Sequence, residues 1–488
     1  MTVFGLHPRR TAIGGAVALG LSATALVTVR GQARAPVPLD VIARAASVVE
    51  AEARPALDIL EKNWHDRYVA MLLELAELSV ARPTARAQDA PLEPGVSDAP
   101  PPPAISPARE RLIRFLERQT GQRFGFDFDK WHRWLWSRPA DLHPDYTRFK
   151  GLLYANIDPR MREFFPPDVA ATIRLDEVVW GGVRVNGIPP LYYPKHLQAS
   201  DARYLRDSDV VFGIAINGEA RAYPKRILAW HELAWDRIGG VELTIVYCTL
   251  CGTVIPYESS AGGELRRMGT SGLLYRSNKL MFDEGTRSLW STLDGQPVIG
   301  PLVGRGLALK PRATVTTTWG EWRRRHPKTT VLSLETGHER DYSEGAAYRE
   351  YFGTDRLMFS VPAPDTRLAN KAEVLVLRVA PSKDGALVPL AISADFLRRR
   401  PVFHTEVAGR RLVVVTSQAG ANRVYDAGDR TFAARMDGDR LVDQDGARWT
   451  VAEDDLQSPA GGSRPRLAAQ RAFWFGWYAQ FPDTLLIK

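Results

Sequence analysis

The chain has only two cysteines, which lie three residues apart in the segment 247–252, Tyr-Cys-Thr-Leu-Cys-Gly. Strand-like residues precede Cys248 and follow Gly252. A strand, a Cys-x-x-Cys-Gly turn and a second strand form a knuckle in which both thiolates can face one metal ion. A four-cysteine zinc ribbon is excluded because there is no second pair. In thioredoxin-like redox sites a helix follows the cysteine pair, but no helical pattern follows the turn in this chain.

A metal held by two thiolates needs further ligands, and His231 is the best candidate. It lies on a short helical segment, 225–235, directly before the strand that carries Cys248. Met281 is a weaker thioether candidate. Two thiolates, an imidazole and a thioether form a soft set that favours copper, whereas zinc needs only the first three plus water or a carboxylate. The sequence therefore predicts a copper or zinc site made by Cys248, Cys251, His231 and Met281.

Four other side chains are secondary candidates for chemistry. Glu232 and Asp236 follow the histidine and are either acid–base groups or capping and salt-bridge residues. Ser271 is a weak nucleophile candidate, because no base is placed beside it by the sequence. It lies in a glycine-bearing segment, 269–272, which we expect to be a loop able to bind an anion but not a nucleotide phosphate cradle. Asp283 ends the strand-like segment that follows this loop.

The cysteine segment belongs to a long sequence repeat whose second copy lacks the reactive residues. Residues 222–228 align with 391–397, and 240–246 align with 409–415, with unchanged spacing between them. In this alignment Cys248, Cys251 and His231 correspond to Ser417, Gly420 and Arg400. The period is far longer than that of a solenoid repeat. We therefore predict an α+β fold of two homologous β-rich lobes from internal duplication, preceded by a small helical N-terminal appendage.

Composition shifts along the chain give the predicted boundaries. Residues 83–106 are rich in proline and contain no aromatic residue. Such a segment cannot bury a core and is typical of a linker. The predicted segments are 1–35 (export signal or membrane anchor), 36–82 (helical hairpin), 83–106 (proline-rich linker), 107–172 (helical, tryptophan-rich lead-in), 173–335 (lobe 1, with the cysteine pair), 336–366 (connector) and 367–488 (lobe 2, the degenerate copy).

Local patterns predict several elements within these segments. Ser106 is a plausible N-cap for a helix with Pro107 at its first position. Residues 210–216 and 242–247 read as strands, and Gly239-Gly240 reads as a turn. Two Trp-x-x-Trp segments, one near the end of each lobe, have helical spacing and precede a proline.

The charge of the chain argues against nucleic acid as a partner. The net charge is +8, and four of these charges are the arginines of an acid-free leader, so the remainder carries +4 in mixed-sign sequence. The leader has Arg9-Arg10, then an uncharged stretch, then small residues, which is the order of an export signal. We expect an exported protein of the periplasm or cell envelope, delivered by a twin-arginine route or tethered to the membrane by an uncleaved N-terminus.

Three other interpretations of the chain stay open beside the metal site. In the first, the cysteine pair is a redox-active dithiol that exchanges disulfides with a partner. In the second, it is an inert disulfide, or a pair of buried thiols, in an exported protein. Alternatively, the chain is a non-enzymatic binding module that holds a peptide or glycan in the groove between its lobes. These residues do not decide whether the protein is an enzyme, and neither a redox partner nor a metal donor is identified.

The set of motifs resembles the bacterial family known as domain of unknown function 3179, over roughly residue 173 to the C-terminus. The matching segments are 217–224, 227–228, 231–232, 247–252, 271–274, 281 with 283, 288–290 and 481–484. The resemblance implies the boundaries and the motif set but no reaction. The chain departs from the family pattern at Thr249, where proline is expected between the cysteines.

Overall fold

The computed structural model describes residues 35–78 and 106–488. The predicted leader up to residue 34 and the linker residues 83–105 lie outside the described residues. Residues Val37–Lys488 form one compact unit. Among the described helices, none has both the length and the apolar character needed to cross a bilayer.

Helices dominate the N-terminal part of the described chain. The α-helices are Leu39–Ala45 (α1), Glu50–Lys62 (α2), Val69–Leu78 (α3), Pro107–Thr120 (α4), Phe128–Trp136 (α5), Tyr146–Ala155 (α6), Lys225–His231 (α7), Trp319–Arg325 (α8), Arg349–Phe352 (α9), Ala394–Arg399 (α10) and Trp474–Gln480 (α11). Short 3-10 helices lie at Asp66–Tyr68, Pro159–Phe164 and Leu175–Glu177. Segment 36–82, predicted as a hairpin, thus contains three α-helices in its described part.

The first six helices pack together as one layer. Apolar residues of α1 to α3 share a hydrophobic cluster with those of α4 to α6. Helix α4 begins as its sequence predicts, since the Ser106 hydroxyl accepts a hydrogen bond from Arg109 N at 3.2 Å. It ends at Gly121, whose φ of 75° is the left-handed conformation that glycine tolerates best.

Strands dominate the remainder. In lobe 1 they are Val178–Trp180 (β1), Leu191–Tyr192 (β2), His196–Gln198 (β3), Val210–Ile216 (β4), Glu219–Pro224 (β5), Leu233–Ile238 (β6), Val241–Cys248 (β7), Thr253–Glu258 (β8), Ser260–Ala261 (β9), Glu264–Leu265 (β10), Met268–Tyr275 (β11), Asn278–Asp283 (β12), Leu289–Ser291 (β13), Pro297–Ile299 (β14), Val315–Thr318 (β15) and Thr330–Leu332 (β16). In lobe 2 they are Glu373–Val379 (β17), Val388–Ser393 (β18), Val402–Val407 (β19), Arg410–Thr416 (β20), Asn422–Asp426 (β21), Arg440–Val442 (β22), Arg448–Val451 (β23), Asp455–Gln457 (β24), Ser463–Leu467 (β25), Gln470–Phe473 (β26) and Leu485–Ile487 (β27). The described residues are therefore mixed α+β and rich in sheet, which confirms the predicted class at this level.

The lobe 1 strands form three larger sheets, ordered β15-β4-β5-β16-β3, β2-β6-β7-β8 and β1-β11-β12-β13-β14. Lobe 2 has a four-stranded sheet, β26-β17-β18-β27, and a seven-stranded sheet, β19-β20-β21-β25-β24-β23-β22. Side chains from both lobes share one hydrophobic cluster, which includes Val246 and Trp290 on one side and Val376 and Trp477 on the other. This shared core places the lobes in direct contact.

One sheet of each lobe has the same strand arrangement. The orders β15-β4-β5-β16 and β26-β17-β18-β27 both consist of two antiparallel pairs followed by a parallel pair. The helices that follow β15 and β26 also match, because Trp322 Nε1 donates to Thr329 Oγ1 and Trp477 Nε1 donates to Thr484 Oγ1, each at 2.9 Å. The two regions are thus equivalent in topology and in side-chain detail.

Two local predictions are wrong. The helix predicted over 225–235 ends at His231, because Leu233 already pairs with Val246 in the antiparallel β6–β7 ladder. The glycine-bearing segment 269–272 is not a loop but part of β11, which carries a register shift there. The Ser271 hydroxyl is consequently buried and donates to Leu280 O at 2.6 Å.

Candidate functional site

The cysteines lie in a tight turn, residues 248–252, which we call the cysteine turn. Strand β7 ends at Cys248 and β8 begins at Thr253, so the predicted succession of strand, turn and strand is confirmed. Cys248 and Cys251 form a disulfide with their Cα atoms 5.3 Å apart. Gly252 has a φ of 61°, and the Phe473 ring lies 3.0 Å from where a Cβ would stand. The turn therefore requires glycine at this position.

Lobe 2 covers the cysteine turn. Phe473 N donates to Cys251 O at 2.7 Å, and a Cβ at Gly476 would lie 3.0 Å from Cys251 Cβ. Both cysteines are almost fully buried, at 2% and 1% exposure. The cysteines belong to a hydrophobic cluster that also contains Leu250, Val254, Ala347, Val361, Phe475 and Ala479. The disulfide is thus buried where lobe 2 packs against lobe 1.

The connector 336–366 closes the remaining side. Tyr351 OH donates to Leu250 O at 2.8 Å, inside the cysteine turn. Tyr348 OH donates to Glu232 Oε1 at 3.1 Å. Tyr348 directly precedes the short helix α9 and Tyr351 lies within it, so two phenol groups fasten the connector over the turn. Sequence reasoning missed them, although the tyrosine-rich composition of the connector was visible.

A buried lysine lies beneath the turn and was also missed. Lys279 Nζ donates to Glu232 O at 2.7 Å and to Tyr247 O at 3.3 Å, and it lies 3.4 Å from Glu232 Oε2. Burial lowers the pKa of Lys279, although the neighbouring Glu232 carboxylate opposes this. The available signal was a lysine directly before the apolar residues Leu280, Met281 and Phe282 of β12. Glu232 therefore takes part in a structural ion pair here.

His231 is fully buried, and both of its ring nitrogens have partners. Nδ1 lies 2.9 Å from Pro189 O and must carry the proton, so Nε2 accepts from Tyr342 OH at 2.5 Å. Burial lowers the pKa of His231 to about 4. The ring is thus held neutral, and the nitrogen with a free lone pair is directed at the connector tyrosine.

The structure brings Cys248 and Cys251 together but does not group them with the other predicted ligands. Across residues 35–78 and 106–488, no cluster of three or more His, Cys, Asp or Glu residues is placed to hold a metal ion. Met281 belongs to the cluster around Val246, whereas the cysteines belong to the cluster around Phe473. The soft-metal site remains a prediction.

The two remaining acidic candidates are engaged in ion pairs. Asp236 Oδ2 lies 2.8 Å from Arg221 Nη1 and 3.0 Å from His196 Nε2. Burial alone would raise the pKa of Asp236, but His196, the Tyr223 hydroxyl and Arg221 together hold it below its usual value. Asp283 Oδ2 accepts from Arg266 Nη1 at 3.0 Å. Both carboxylates are therefore buried partners in ion pairs.

In lobe 2 the equivalent turn, residues 417–421, is the serine turn. The Ser417 hydroxyl donates to Glu321 Oε2 at 2.7 Å, and Ala419 N donates to the same oxygen at 3.2 Å. Glu321 belongs to α8 of lobe 1, so this turn also rests on the opposite lobe. Arg471 Nη2 donates to Gly420 O at 2.7 Å. A carboxylate and a guanidinium replace the apolar contacts of the cysteine turn.

The serine turn lines a cavity of about 820 Å³ between the lobes. Five arginines line it, from α8, from α10 and from the strands and loops of lobe 2: Arg324, Arg325, Arg398, Arg423 and Arg435. We call it the arginine cleft. A second cavity of about 820 Å³ adjoins it and shares Glu321, Arg324 and Gln418. Sequence reasoning missed this feature because its arginines come from distant segments.

The buried carboxylate of Glu453 organises the base of the arginine cleft. It lies 2.6 Å from Arg423, 2.9 Å from Arg325 and 2.5 Å from Arg466. Burial alone would raise the pKa of Glu453, but Arg423 and Arg466 outweigh this and hold it well below its usual value. This carboxylate holds two of the five cleft arginines, Arg325 and Arg423, in place.

Two arginines of the cleft have no ion-pair or hydrogen-bond partner among the residues that the structure describes, namely Arg324 and Arg435. Both side chains are exposed. Each presents several N–H donors in a planar fork that matches a carboxylate or phosphate. The cleft therefore has guanidinium donors that no described residue uses.

A comparison with family models gives one match, to the family described as a protein of unknown function (DUF3179), over residues 185–484. The chain belongs to the DUF3179 family. The match includes the cysteine turn, the serine turn and the arginine cleft. No curated protein and no solved structure matches the chain.

Proposed function

We propose that this DUF3179 protein is a binding protein that holds an anionic ligand in the arginine cleft. One observation carries the proposal: five arginines from both lobes converge on one cavity of about 820 Å³. The volume suits a small molecule or the end of a larger chain. Of the functions considered from the sequence, this is the binding module that uses the groove between the lobes.

The charge balance of the cleft favours an anion. The acids that line it are Glu321, which accepts two hydrogen bonds from the serine turn, and Asp439, which lies 2.9 Å from Arg325. Even with the buried Glu453 beneath, cations exceed carboxylates. Arginines left without partners would repel one another in a partly enclosed site, and a bound anion relieves this.

The lining indicates a ligand with carboxylate or phosphate groups and a modest apolar part. Hydroxyl and amide groups of Thr416, Ser417 and Gln418 supply further polar contacts, and Val415 and Met436 supply apolar surface. No aromatic side chain lines this cavity, as far as the described residues go. Since aromatic stacking is absent, charge recognition through guanidinium forks dominates.

Calorimetric titration of the whole protein tests the proposal. The probes are inorganic phosphate, citrate, an oligoglutamate peptide and an oligouronate. We expect at least one to bind with an affinity that falls as salt is added. Reversing both unpaired charges, Arg324→Glu with Arg435→Glu, should weaken this binding at least about tenfold.

The matched control is Arg305→Glu with Arg399→Glu, two exposed arginines that do not line the cleft. It changes the net charge of the chain equally and should leave binding unchanged. If the control weakens binding as much as the cleft variant, or if no probe binds at millimolar concentration, the proposal is wrong.

A second candidate function uses the cysteine turn. Two buried polar atoms beside it have no hydrogen-bond partner among the described residues, Thr249 Oγ1 and Asn278 Oδ1. Unsatisfied buried acceptors favour a rearrangement that supplies donors. Reduction of the disulfide would free two thiolates for copper or zinc, or for exchange with a partner disulfide. His231 Nε2 would join them only if Tyr342 moved away.

Metal analysis of the reduced protein tests this candidate. After anaerobic reduction and loading with Cu(I) or Zn(II), we expect about one ion per chain, and none in Cys248→Ser. Exchange chemistry predicts instead that the reduced thiols react rapidly with a small disulfide without any metal. Equal metal content in Cys248→Ser and slow thiol reaction would together exclude both roles.

Two further inferences from the sequence concern origin and location. The matching strand orders, registers and tryptophan contacts support duplication of an ancestral lobe, with loss of the cysteines from the second copy.

The paired arginines and apolar stretch of the leader support export to the periplasm or cell envelope. Fractionation of cells that express the full chain, with and without Arg9 and Arg10 replaced by lysine, tests the route.

A further inference from the structure

A separate cavity of about 510 Å³ lies between the helical layer, β1 and the connector. Four carboxylates line it: Glu74 and Glu77 from α3, and Asp127 and Asp129 from the start of α5. No lysine or arginine is among its described lining residues. We call it the acidic cavity. It shares no lining residue with the arginine cleft or the cysteine turn.

One carboxylate oxygen in this cavity lacks a partner. Glu74 is 7% exposed, and its Oε1 accepts from Lys150 Nζ at 2.7 Å and from Tyr146 OH. Its Oε2 is buried and has no hydrogen-bond partner among the described residues. A buried carboxylate oxygen without a donor is costly. Since Glu74 lines the cavity, a ligand there can supply the missing donor or positive charge.

Two of the four carboxylates lack a close cationic partner. Lys150 lies beneath Glu74, Lys130 lies 2.9 Å from Asp127, and Arg109 lies on the neighbouring helix. Among the described residues, no lysine or arginine lies within ion-pair distance of Glu77 or Asp129, and the partner of Glu77 is His132, at 3.4 Å. A cationic ligand beside Glu77 would therefore meet a carboxylate that no lysine or arginine pairs with directly.

Aromatic rings form the other walls of the acidic cavity, and the rings belong to Phe126, Phe128, Trp136, Trp180 and Phe359. The negative faces of such rings attract organic cations, which are easily desolvated. The chain already uses this interaction here, because Arg109 lies 4.7 Å from the Phe128 ring centroid. Carboxylates combined with aromatic walls are the chemistry that binds an ammonium group with an apolar body.

We propose that the acidic cavity binds a monovalent organic ammonium ion, with its charge between Glu74 and Glu77 and its alkyl part against the aromatic walls. The aromatic lining favours an alkylammonium group over a hydrated metal ion, because a ring face cannot replace a metal's water ligands. The volume of the cavity suits a ligand of several carbon atoms.

Tryptophan fluorescence of the whole protein measures this binding, because Trp136 and Trp180 line the cavity. The probes are choline and butylammonium, and the control ligand is 3,3-dimethylbutanol, which has the shape of choline without its charge. We expect saturable binding of the cations at least about tenfold tighter than that of the alcohol. Equal binding of the alcohol, or no saturable signal from either cation, would overturn the proposal.

Variants locate the site. Glu77→Gln and Phe359→Leu should each weaken choline binding by about three- to tenfold. Glu77 is chosen because Glu74→Gln would also break the buried pair with Lys150 and risk misfolding. Asp58→Asn, an exposed acid of α2 without a partner among the described residues, is the charge-matched control and should bind normally. Unchanged affinity in both test variants would place the binding elsewhere and contradict the proposal.

Discussion

The cysteine turn of lobe 1 and the serine turn of lobe 2 follow equivalent strands, yet their surroundings differ. The cysteine turn is closed by a disulfide and covered by apolar side chains of lobe 2. The serine turn is held by the Glu321 carboxylate and opens onto a cleft of arginines. Each turn rests on the helix of the opposite lobe, so the contacts are reciprocal.

A single position in these helices accounts for much of the difference. Glu321 is the third residue of α8 and Gly476 is the third residue of α11. Glycine lets α11 approach so closely that a Cβ there would lie 3.0 Å from Cys251 Cβ, whereas glutamate keeps the serine turn at hydrogen-bonding distance. Similar backbones therefore support a buried disulfide at the cysteine turn and a polar cavity at the serine turn.

The largest loss of stability is expected from breaking the ion-pair network beneath the arginine cleft. Glu453→Gln removes the carboxylate shared by Arg423, Arg466 and Arg325, which leaves buried positive charges uncompensated. We expect a loss of about 3–5 kcal/mol in the free energy of unfolding, measured in denaturant. The adjacent exposed Asp454→Asn should change it by less than about 0.5 kcal/mol. A similar small loss in Glu453→Gln would show that the network contributes little.

Acid should destabilise lobe 1 through protonation of His231. The aligned position in lobe 2 carries the exposed Arg400, so lobe 2 has no histidine at this place. The pKa of His231 is lowered to about 4 in the folded protein, against about 6.5 when unfolded, so the unfolded chain takes up the proton first. Stability is then fully present above about pH 6.5 and declines as the pH falls toward 4, by about 3 kcal/mol.

Unfolding curves at pH 7.5 and 4.5 measure this decline. His231→Asn should flatten it, whereas the exposed His65→Asn should not. Because the pKa of Glu453 is held low, its own contribution is lost only below about pH 4.5, which separates the two effects. An unchanged decline in His231→Asn would assign the acid sensitivity to other groups.

Local features of this comparison were predictable from the sequence. The strand Val210–Ile216, the Ser106 cap and the strand–turn–strand geometry of the cysteines follow from patterns within a few residues. The absence of the cysteines and His231 from the aligned positions of lobe 2 suggested one shared site. In the structure His231 instead contacts Pro189 and Tyr342, which lie 42 and 111 residues away.

The remaining features depend on contacts between distant segments. Lys279 reaches Glu232 across 47 residues of sequence, and Arg324 and Arg435 line one cavity only because the lobes pack together. Spacing along the chain carries no signal for such encounters. The strand within 269–272 was missed because its glycines resemble a loop. Gly269 and Thr270 pair with β12, whereas Gly272, with a φ of 79°, lies in the register shift that follows.

The glycine that faces the cysteine turn offers the next test. Gly476→Ala would place a methyl group 3.0 Å from Cys251 Cβ in a closely packed interface. We expect a loss of about 1–3 kcal/mol from overpacking, measured by denaturant unfolding. Gly385→Ala, in an exposed loop beside the Pro381 ring, is the control and should be nearly neutral. Neutral behaviour of Gly476→Ala would mean that the turn can retreat from the helix.

An effect of similar size is expected from giving the cysteine turn the residues of the serine turn. Cys248→Ser with Cys251→Gly removes a disulfide that closes a very short loop, so the loss of stability should be about 2 kcal/mol. The variant should bind anions in the arginine cleft as the parent protein does, because the cleft lies at the serine turn. Denaturant unfolding and calorimetric titration measure the two properties. Weakened anion binding would show that the two turns are coupled through the shared core, and it would contradict the separation of roles inferred from their different surroundings.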